Sequence, residues 1–130
     1  MPVREKALAL VAGLPPKDWQ AEMQAIFAFV RDRIRYVRDV AGVETVATPV
    51  KTLELGQGDC DDKTTLLAAL LGTIGCETRF VALGFAPGHY SHVILEAQCN
   101  GEWVPLDPTE PVGIGWRPAG ALMTMREPVK

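Results

Sequence analysis

The feature that most constrains this chain is a short polar loop that leads directly into a strongly apolar helical pattern. The sequence GDCDDK occupies residues 58–63 and is followed by TTLLAALL at residues 64–71. Leucines at helical spacing give this segment a broad apolar face, and Gly72 and Gly75 supply the signal for its C-terminal end. The pattern therefore predicts a central, buried helix that begins near Cys60.

Cys60 lies where the loop becomes the helix, a position that can activate a sulfur nucleophile. Free amides and the positive end of the dipole at a helix start favour a thiolate over a thiol. The carboxylates of Asp59, Asp61 and Asp62 have the opposite effect when close, so we expect them to bind the free amides of the first turn instead. An alternative interpretation is that these carboxylates and His92 bind a divalent metal ion. A single helix start gives poor ligand geometry, however, and we predict neither a metal nor another cofactor.

Length and charge limit the chain further. We expect one domain over residues 1–130, with a core at about 18–110 and an irregular tail, rich in Pro and Gly, at 111–130. A net charge of −3 gives no electrostatic reason for nucleic acid or an anionic membrane as a partner. No apolar run approaches the ~20 residues of a membrane-spanning helix, and the first residues do not predict a signal peptide.

The chain has three cysteines, an odd number, and no Cys-x-x-Cys pair. This pattern argues against a disulfide framework and against a structural zinc site. We therefore expect Cys76 and Cys99 to be small, buried apolar side chains. A reducing cytoplasm is the compartment that this cysteine usage fits best.

Elsewhere the patterns predict further helices and three strands. Helices are expected at 7–14 and about 18–39, with a helical turn at 51–55 inside an otherwise loop-like segment at 41–58. The strands are expected at 78–85, 93–99 and 102–106.

The dipeptide Asn-Gly at residues 100–101 separates the last two strands and is the strongest hairpin signal in the sequence. A two-residue turn there places Ile94 directly opposite Asp107, and directly opposed residues share a face of the sheet. His92, two residues before Ile94, lies on that same face. His92 and Asp107 are then diagonal neighbours, ~7 Å apart between their backbones, which an imidazole and a carboxylate can span. A bulge in either strand would shift the register and remove this pairing.

A histidine held by an aspartate and facing a cysteine at a helix start forms a nucleophile, a base and an orienting group. In this arrangement Cys60 would attack a carbonyl carbon, His92 would exchange the proton, and Asp107 would fix the imidazole. Taken alone, Asp107 has the alternative role of capping the turn at Pro108.

Two further side chains are candidates for a supporting role. The backbone amide of Cys60 is placed to donate to an oxyanion, and Gln57 is a candidate second donor. A glutamine in a glycine-containing loop also fits an ordinary loop residue. Trp103 shares the predicted face of His92 and Asp107, so it either covers the triad or belongs to the core.

The order of these motifs resembles that of the bacterial transglutaminase-like family. The motifs are GDCDD at 58–62 before a leucine-rich helix, RFV at 79–81, SHVILE at 91–96 and GEWVPLDPT at 101–109. The resemblance covers about residues 25–109. It implies a papain-like α+β fold in which a central helix with an N-terminal cysteine packs against a small antiparallel sheet.

The same resemblance implies a triad of Cys60, His92 and Asp107, and acyl transfer on amide bonds through a thioester. The acceptor would be water in a hydrolase or an amine in a cross-linking enzyme. The substrate would be a protein or peptide with an amide or glutamine side chain. The chain lacks the tryptophan after the cysteine and the added domains of animal transglutaminases, and the lack of a platform for a second substrate favours hydrolysis.

Two functions from different classes fit these patterns. The first is a thiol-dependent amide hydrolase or acyltransferase, which the complete triad favours. The alternative is a non-catalytic binding or assembly module that retains the fold. The aspartates around Cys60 and the missing aromatic residue after it favour this alternative. The reactivity of the Cys60 thiol distinguishes the two functions.

Overall fold

The helices begin at capping residues that the sequence provides. The computed structural model describes residues 2–15, 17–38 and 48–129. Within these ranges the helices are α1 (Pro2–Val11), α2 (Trp19–Arg33), α3 (Pro49–Leu55) and α4 (Cys60–Thr73). The side chains of Asp18, Thr48 and Asp59 accept hydrogen bonds from first-turn amides of α2, α3 and α4, respectively.

The boundary of α2 differs from the prediction. The helix ends where Ile34 adopts an extended conformation (φ −104°, ψ 109°) and leads into the short strand β1 (Arg35–Tyr36). The helix predicted over residues 34–38 is therefore wrong, whereas the helix end predicted near residue 39 and the first part of the loop-like segment predicted at 41–58 lie outside the described residues. The helical turn predicted at 51–55 is the C-terminal part of α3.

A four-stranded antiparallel sheet with the order β5-β4-β3-β6 lies against the helices. Its strands are β3 (Glu77–Gly84), β4 (His92–Gln98), β5 (Val104–Leu106) and β6 (Met123–Pro128). A separate parallel pair joins β1 to β2 (Gln57–Gly58), which ends just before α4. The predicted α+β arrangement, a central helix with an N-terminal cysteine against a small antiparallel sheet, is confirmed.

The expectation of an irregular tail at residues 111–130 is wrong for its last part. β6 pairs with β3 from Arg79 opposite Pro128 to Gly84 opposite Met123. The sequence MTMREP did not predict a strand, because it carries charged residues and a proline. Such residues are typical of an exposed edge strand, which β6 is. The sheet therefore extends beyond the core boundary expected near residue 110.

The hairpin of β4 and β5 has the predicted register. Leu95 lies opposite Leu106, and Ala97 lies opposite Val104, as the Asn-Gly turn requires. Regular pairing stops before residues 99–103, so the connection is longer than two residues although the register is unchanged. This register places His92 and Asp107 on one face of the hairpin.

The hydrophobic core lies between α4 and the sheet face opposite to the one that carries His92 and Asp107. The leucines of α4 at this interface are fully buried: Leu66, Leu67, Leu70 and Leu71. They belong to one apolar cluster with Leu95, Ala97 and Leu106 of the hairpin. Because α4 also packs against α1, α2 and α3, it is the central, buried helix that the sequence predicted.

Cys76 and Cys99 form a disulfide bond, and the expectation that both are unpaired buried side chains is therefore wrong. Cys76 directly precedes β3 and Cys99 directly follows β4, so the bond closes one end of this antiparallel strand pair. Cys60 is the free thiol that makes the cysteine count odd. The spacing of the cysteines did not reveal this pair, because the antiparallel pairing of β3 with β4, which ends with Glu77 opposite Gln98, is what places the two cysteines opposite each other.

Removal of the disulfide is expected to lower the free energy of unfolding by about 3 kcal/mol. The bond joins residues 23 apart in sequence and thereby restricts the unfolded chain. The measurement is urea unfolding of wild type and of the double variant Cys76→Ser with Cys99→Ser. Cys60→Ser, which removes the thiol outside the disulfide, is the matched control and should lower the free energy of unfolding by much less than the double variant does. A double variant as stable as wild type would contradict this prediction.

Candidate active site

Two reciprocal hydrogen bonds fix the cysteine loop at the start of α4. Asp59 Oδ1 accepts from Asp62 N at 3.0 Å, and Asp62 Oδ2 accepts from Asp59 N at 3.1 Å. For these two carboxylates, the predicted binding of amides at the helix start is confirmed. Gly58 permits this geometry, because a Cβ at residue 58 would lie 2.5 Å from the Cβ of Asp62.

Cys60 occupies the first position of α4, and its side chain is half-buried. Its Sγ lies 4.0 Å from Oδ1 of Asp61. The sulfur thus lies close both to a carboxylate and to the positive end of the α4 dipole.

His92 and Asp107 meet as the hairpin register predicted. His92 Nε2 lies 2.9 Å from Asp107 Oδ2, and the Asp107 side chain is completely buried. The other carboxylate oxygen, Oδ1, accepts hydrogen bonds from the backbone N and the hydroxyl of Thr109 at 3.1 and 2.7 Å. Asp107 thus both contacts His92 and caps the turn, so the two roles considered for it are compatible.

The pKa shifts favour a charged pair of His92 and Asp107. Hydrogen bonding to Asp107, followed by hydrogen bonding to Cys60, raises the pKa of His92 to about 10 against the opposing effect of burial. Burial raises the pKa of Asp107, but hydrogen bonds from His92 and Thr109 outweigh it and hold this pKa below its usual range. Because Nε2 faces Asp107, Nδ1 is the ring nitrogen left for Cys60. The structure thus brings all three predicted triad residues together.

The raised pKa of His92 predicts a pH dependence of both titration and stability. By NMR, the His92 ring should remain protonated through about pH 8 and lose its proton near pH 10. Because the folded-state pKa exceeds the unfolded value, this contribution to stability is complete below about pH 6.5 and is lost as the pH rises towards 10. Asp107→Asn should lower the His92 pKa, and His89→Gln identifies the second histidine signal. A wild-type His92 that titrates near pH ~6.5 would contradict the charged pair.

Gln57 and Trp103, the two predicted supporting residues, lie in different surroundings. Gln57 is exposed in β2, three residues before Cys60. Trp103 is half-buried, and the guanidinium of Arg79 lies 3.9 Å from its ring centroid. Trp103 therefore shares the sheet face of His92 but lies near its opposite end, where Arg79 pairs with Glu96.

Sequence reasoning missed two residues at this site. The first is Thr109, and its signal was the Asp-x-Thr spacing, in which an aspartate accepts hydrogen bonds from the residue two positions later. The second is Lys63, which is 2% exposed within α4. A lysine in the loop motif gave no sign of burial, because lysine is almost never fully buried unless it is paired.

The alternative interpretation is a divalent-metal site formed by His92 and the aspartates around Cys60. In the described ranges, no group of three or more His, Cys, Asp and Glu side chains is arranged to hold a metal ion. The carboxylates of Asp59 and Asp62 are used by the capping box.

Comparison with solved structures shows the fold. A candidate protease from Parabacteroides distasonis superposes with a TM-score of 0.71 at 15% identity, over 86% of this chain and 23% of that chain. A candidate cysteine protease from Cytophaga hutchinsonii gives 0.68 at 18% identity, over 97% and 42%. EGTA-treated LapG from Legionella pneumophila gives 0.69 at 18% identity, over 98% and 78%. This chain thus spans less than half the length of the first two proteins. At identities this low, the superpositions show a shared fold.

Comparison of sequences shows the family. Comparison with curated protein sequences gives no match. The sequence model of the transglutaminase-like superfamily, however, matches residues 7–108, which is most of the chain and includes the three residues of the predicted triad. With the fold that the solved structures share, this match establishes that the chain belongs to the transglutaminase-like superfamily.

Proposed function

We propose that this chain is a thiol-dependent amide-bond hydrolase or acyltransferase with Cys60 as nucleophile, His92 as acid and base, and Asp107 as orienting group. The observation that carries this proposal is the 2.9 Å contact of His92 Nε2 with the buried carboxylate of Asp107. This contact leaves the second ring nitrogen for Cys60. A raised His92 pKa favours a thiolate–imidazolium pair, the reactive form of a cysteine nucleophile.

The reaction would begin when the Cys60 thiolate attacks the carbonyl carbon of an amide, forming a C–S bond and placing negative charge on the carbonyl oxygen. Protonated His92 would give its proton to the leaving nitrogen as the C–N bond breaks, which leaves a thioester and a neutral imidazole. Water or an amine would then attack the thioester while His92 takes up its proton. Cys60 leaves as a thiolate, so each cycle restores the ion pair.

The negative charge on the carbonyl oxygen requires hydrogen-bond donors. The backbone amide of Cys60 is one candidate, because it lies at the start of α4 where amides are free of helical partners. We assign the second donor to Gln57, whose exposed side chain lies three residues before the nucleophile. Trp103 would act on the site indirectly, by holding Arg79 on the sheet face that also carries His92.

The proposed substrate is a protein or peptide with an amide or glutamine side chain, and we favour water as the acceptor. The test is incubation with a glutamine-containing peptide, with and without a labelled primary amine, followed by mass spectrometry. Hydrolysis predicts a product 1 Da heavier, from glutamine to glutamate, whether or not the amine is present. Incorporation of the amine would instead assign the transferase reaction, and Cys60→Ala should form neither product.

A non-catalytic binding or assembly module is the second candidate function. The observation that favours it is the carboxylate of Asp61, 4.0 Å from Cys60 Sγ, because a negative charge there opposes formation of a thiolate. Thiol reactivity and product formation in wild type distinguish the two functions, and Asp61→Asn shows whether the carboxylate suppresses the thiol. An enzyme should gain or keep thiol reactivity in this variant, whereas a wild type without activated thiol and without product would favour the module.

The state of the disulfide in cells tests which cellular compartment the protein occupies. None of the helices in the described ranges combines the length and apolarity that a bilayer crossing requires. The cytoplasm stays our prediction from cysteine usage, but the bond between Cys76 and Cys99 weighs against it, because disulfides persist mainly in oxidising compartments. Protein trapped from cells with an alkylating agent should carry three labels if it resides in the cytoplasm, and one label if the bond is formed.

A further inference from the structure

A pocket of about 350 Å³ has walls formed by residues that contact the cysteine loop and Asp107. On one wall, Tyr36 pairs with Gly58, two residues before Cys60. On another wall, Thr109 donates two hydrogen bonds to Asp107. The pocket therefore adjoins both the loop of the nucleophile and the orienting carboxylate. A part of the acyl donor that flanks the reacting amide would lie in this region.

Lys63 contributes a buried positive charge to this pocket. It follows Cys60 by three residues and so lies on the same side of α4, with ~5–6 Å between the Cβ atoms. Lys63 is 2% exposed, and its Nζ donates a hydrogen bond of 3.2 Å to the carbonyl oxygen of Arg31. An ammonium group has three N–H donors, so this bond leaves donor capacity for a ligand.

The surroundings of Lys63 compensate its charge incompletely. Burial lowers the pKa of Lys63 by more than the attraction of Asp32 and Asp107 raises it. Asp32 is engaged with Arg31 through two hydrogen bonds of 2.7 Å, and Asp107 is engaged with His92. A negatively charged ligand would supply the missing compensation.

The remaining charged side chains of the pocket are mainly cationic. They are Arg31, Arg33, Arg35, Asp32 and Glu110. With Lys63, the lining thus carries two more positive than negative charges. Guanidinium and ammonium groups form strong, charge-assisted hydrogen bonds with carboxylates, so the pocket selects for an oxyanion.

We propose that this pocket is a subsite for a carboxylate of the acyl donor, with Lys63 as its principal hydrogen-bond donor. The inference rests on the proposed function, because it assigns the pocket to the substrate of Cys60. It narrows the substrate class to peptides with an acidic side chain close to the reacting amide. A free inorganic anion, with the same oxyanion chemistry, is the other source of such a ligand.

Two matched alkylating probes test the subsite without a known substrate. The α-amides of iodoacetyl-glutamate and iodoacetyl-glutamine differ only in a carboxylate against a carboxamide. With either probe, Cys60 Sγ bonds to the methylene carbon and iodide leaves. We expect the acidic probe to label Cys60 about tenfold faster than the neutral one, as a charge-assisted hydrogen bond would produce. The ratio should fall towards one in Lys63→Met and persist in Lys51→Met, an exposed lysine outside the pocket.

Equal labelling rates for the two probes in wild type, or a ratio that survives Lys63→Met, would overturn the proposal. Lys63→Gln provides the same comparison if the methionine variant does not fold. Labelling of wild type and of His92→Ala by the neutral probe reports separately on the reactivity of the proposed nucleophile. A failure of the subsite is thereby distinguished from a failure of the proposed function.

Titration of inorganic phosphate into Cys60→Ala by calorimetry separates the two sources of an oxyanion. Weak phosphate binding that Lys63→Met removes, together with a preference for the acidic probe, supports the substrate subsite. Phosphate binding together with equal probe rates would assign the pocket to a free anion and contradict the proposal.

Discussion

Replacing Asp107 with alanine is expected to lower kcat by about 10⁴-fold, with KM nearly unchanged, the loss typical of removing the orienting carboxylate of a triad. Asp107 is fully buried and contacts His92 Nε2 at 2.9 Å, so in the proposed mechanism it would act on the imidazole without touching the substrate. Without the carboxylate, the pKa of His92 loses its largest raising influence and the ring loses its orientation. Initial rates of glutamine-peptide hydrolysis, with circular dichroism to verify folding, measure this effect.

Thr109→Val is the matched control for this prediction. It removes the 2.7 Å hydrogen bond from the Thr109 hydroxyl to Oδ1 but leaves the contact of Asp107 with His92 intact. We expect a loss of less than about tenfold in kcat, since one neutral donor to the carboxylate is removed. A folded Asp107→Ala variant with kcat within tenfold of wild type would contradict the assigned role.

Replacing Glu96 with alanine is expected to lower the free energy of unfolding by about 3 kcal/mol. The Glu96 side chain is 3% exposed and contacts Arg79, Arg117 and Arg126 at 2.6, 2.9 and 2.9 Å. Burial raises the pKa of Glu96, but hydrogen bonds from Arg126 and Arg79 outweigh it and keep the carboxylate charged. Its removal would leave the three arginines, which lie on β3, in the loop before β6 and on β6, without their shared partner.

The expected loss lies at the lower end for a broken buried ion pair, because the arginines left behind are partly exposed to water. Urea unfolding of Glu96→Ala measures it, and Glu54→Ala, an exposed glutamate on α3, is the control that should change stability by less than about 0.5 kcal/mol. Equal unfolding midpoints for Glu96→Ala and Glu54→Ala would show that the arginine cluster does not stabilise the fold.

Local signals predicted the helix start and the register of the hairpin, and with them the contact of His92 with Asp107. The apolar pattern of β4 and β5 fits the register predicted from the Asn-Gly dipeptide, because an alternative register would move the apolar side chains to the wrong face. That register alone placed His92 and Asp107 on one face. The apolar pattern after Cys60 likewise predicted α4 as the central helix, since a broad apolar stripe has to be buried.

Features that depend on packing between distant segments could not be predicted in this way. The disulfide joins Cys76 to Cys99 because β3 pairs with β4 in a register that ends with Glu77 opposite Gln98. The strand β6 is exposed and weakly patterned, and pairing with β3 defines it. Trp103 has the predicted face, but its position along that face follows from its contact with Arg79.

The pH dependence of Cys60 alkylation by iodoacetamide tests the central claim most directly. If Cys60 and His92 form a thiolate–imidazolium pair, the wild-type rate should already be on a plateau near neutral pH. In His92→Ala the rate should be low there and rise as an ordinary thiol does, near pH ~8.5. Identical profiles that both rise near pH ~8.5 would contradict an activated nucleophile at this site.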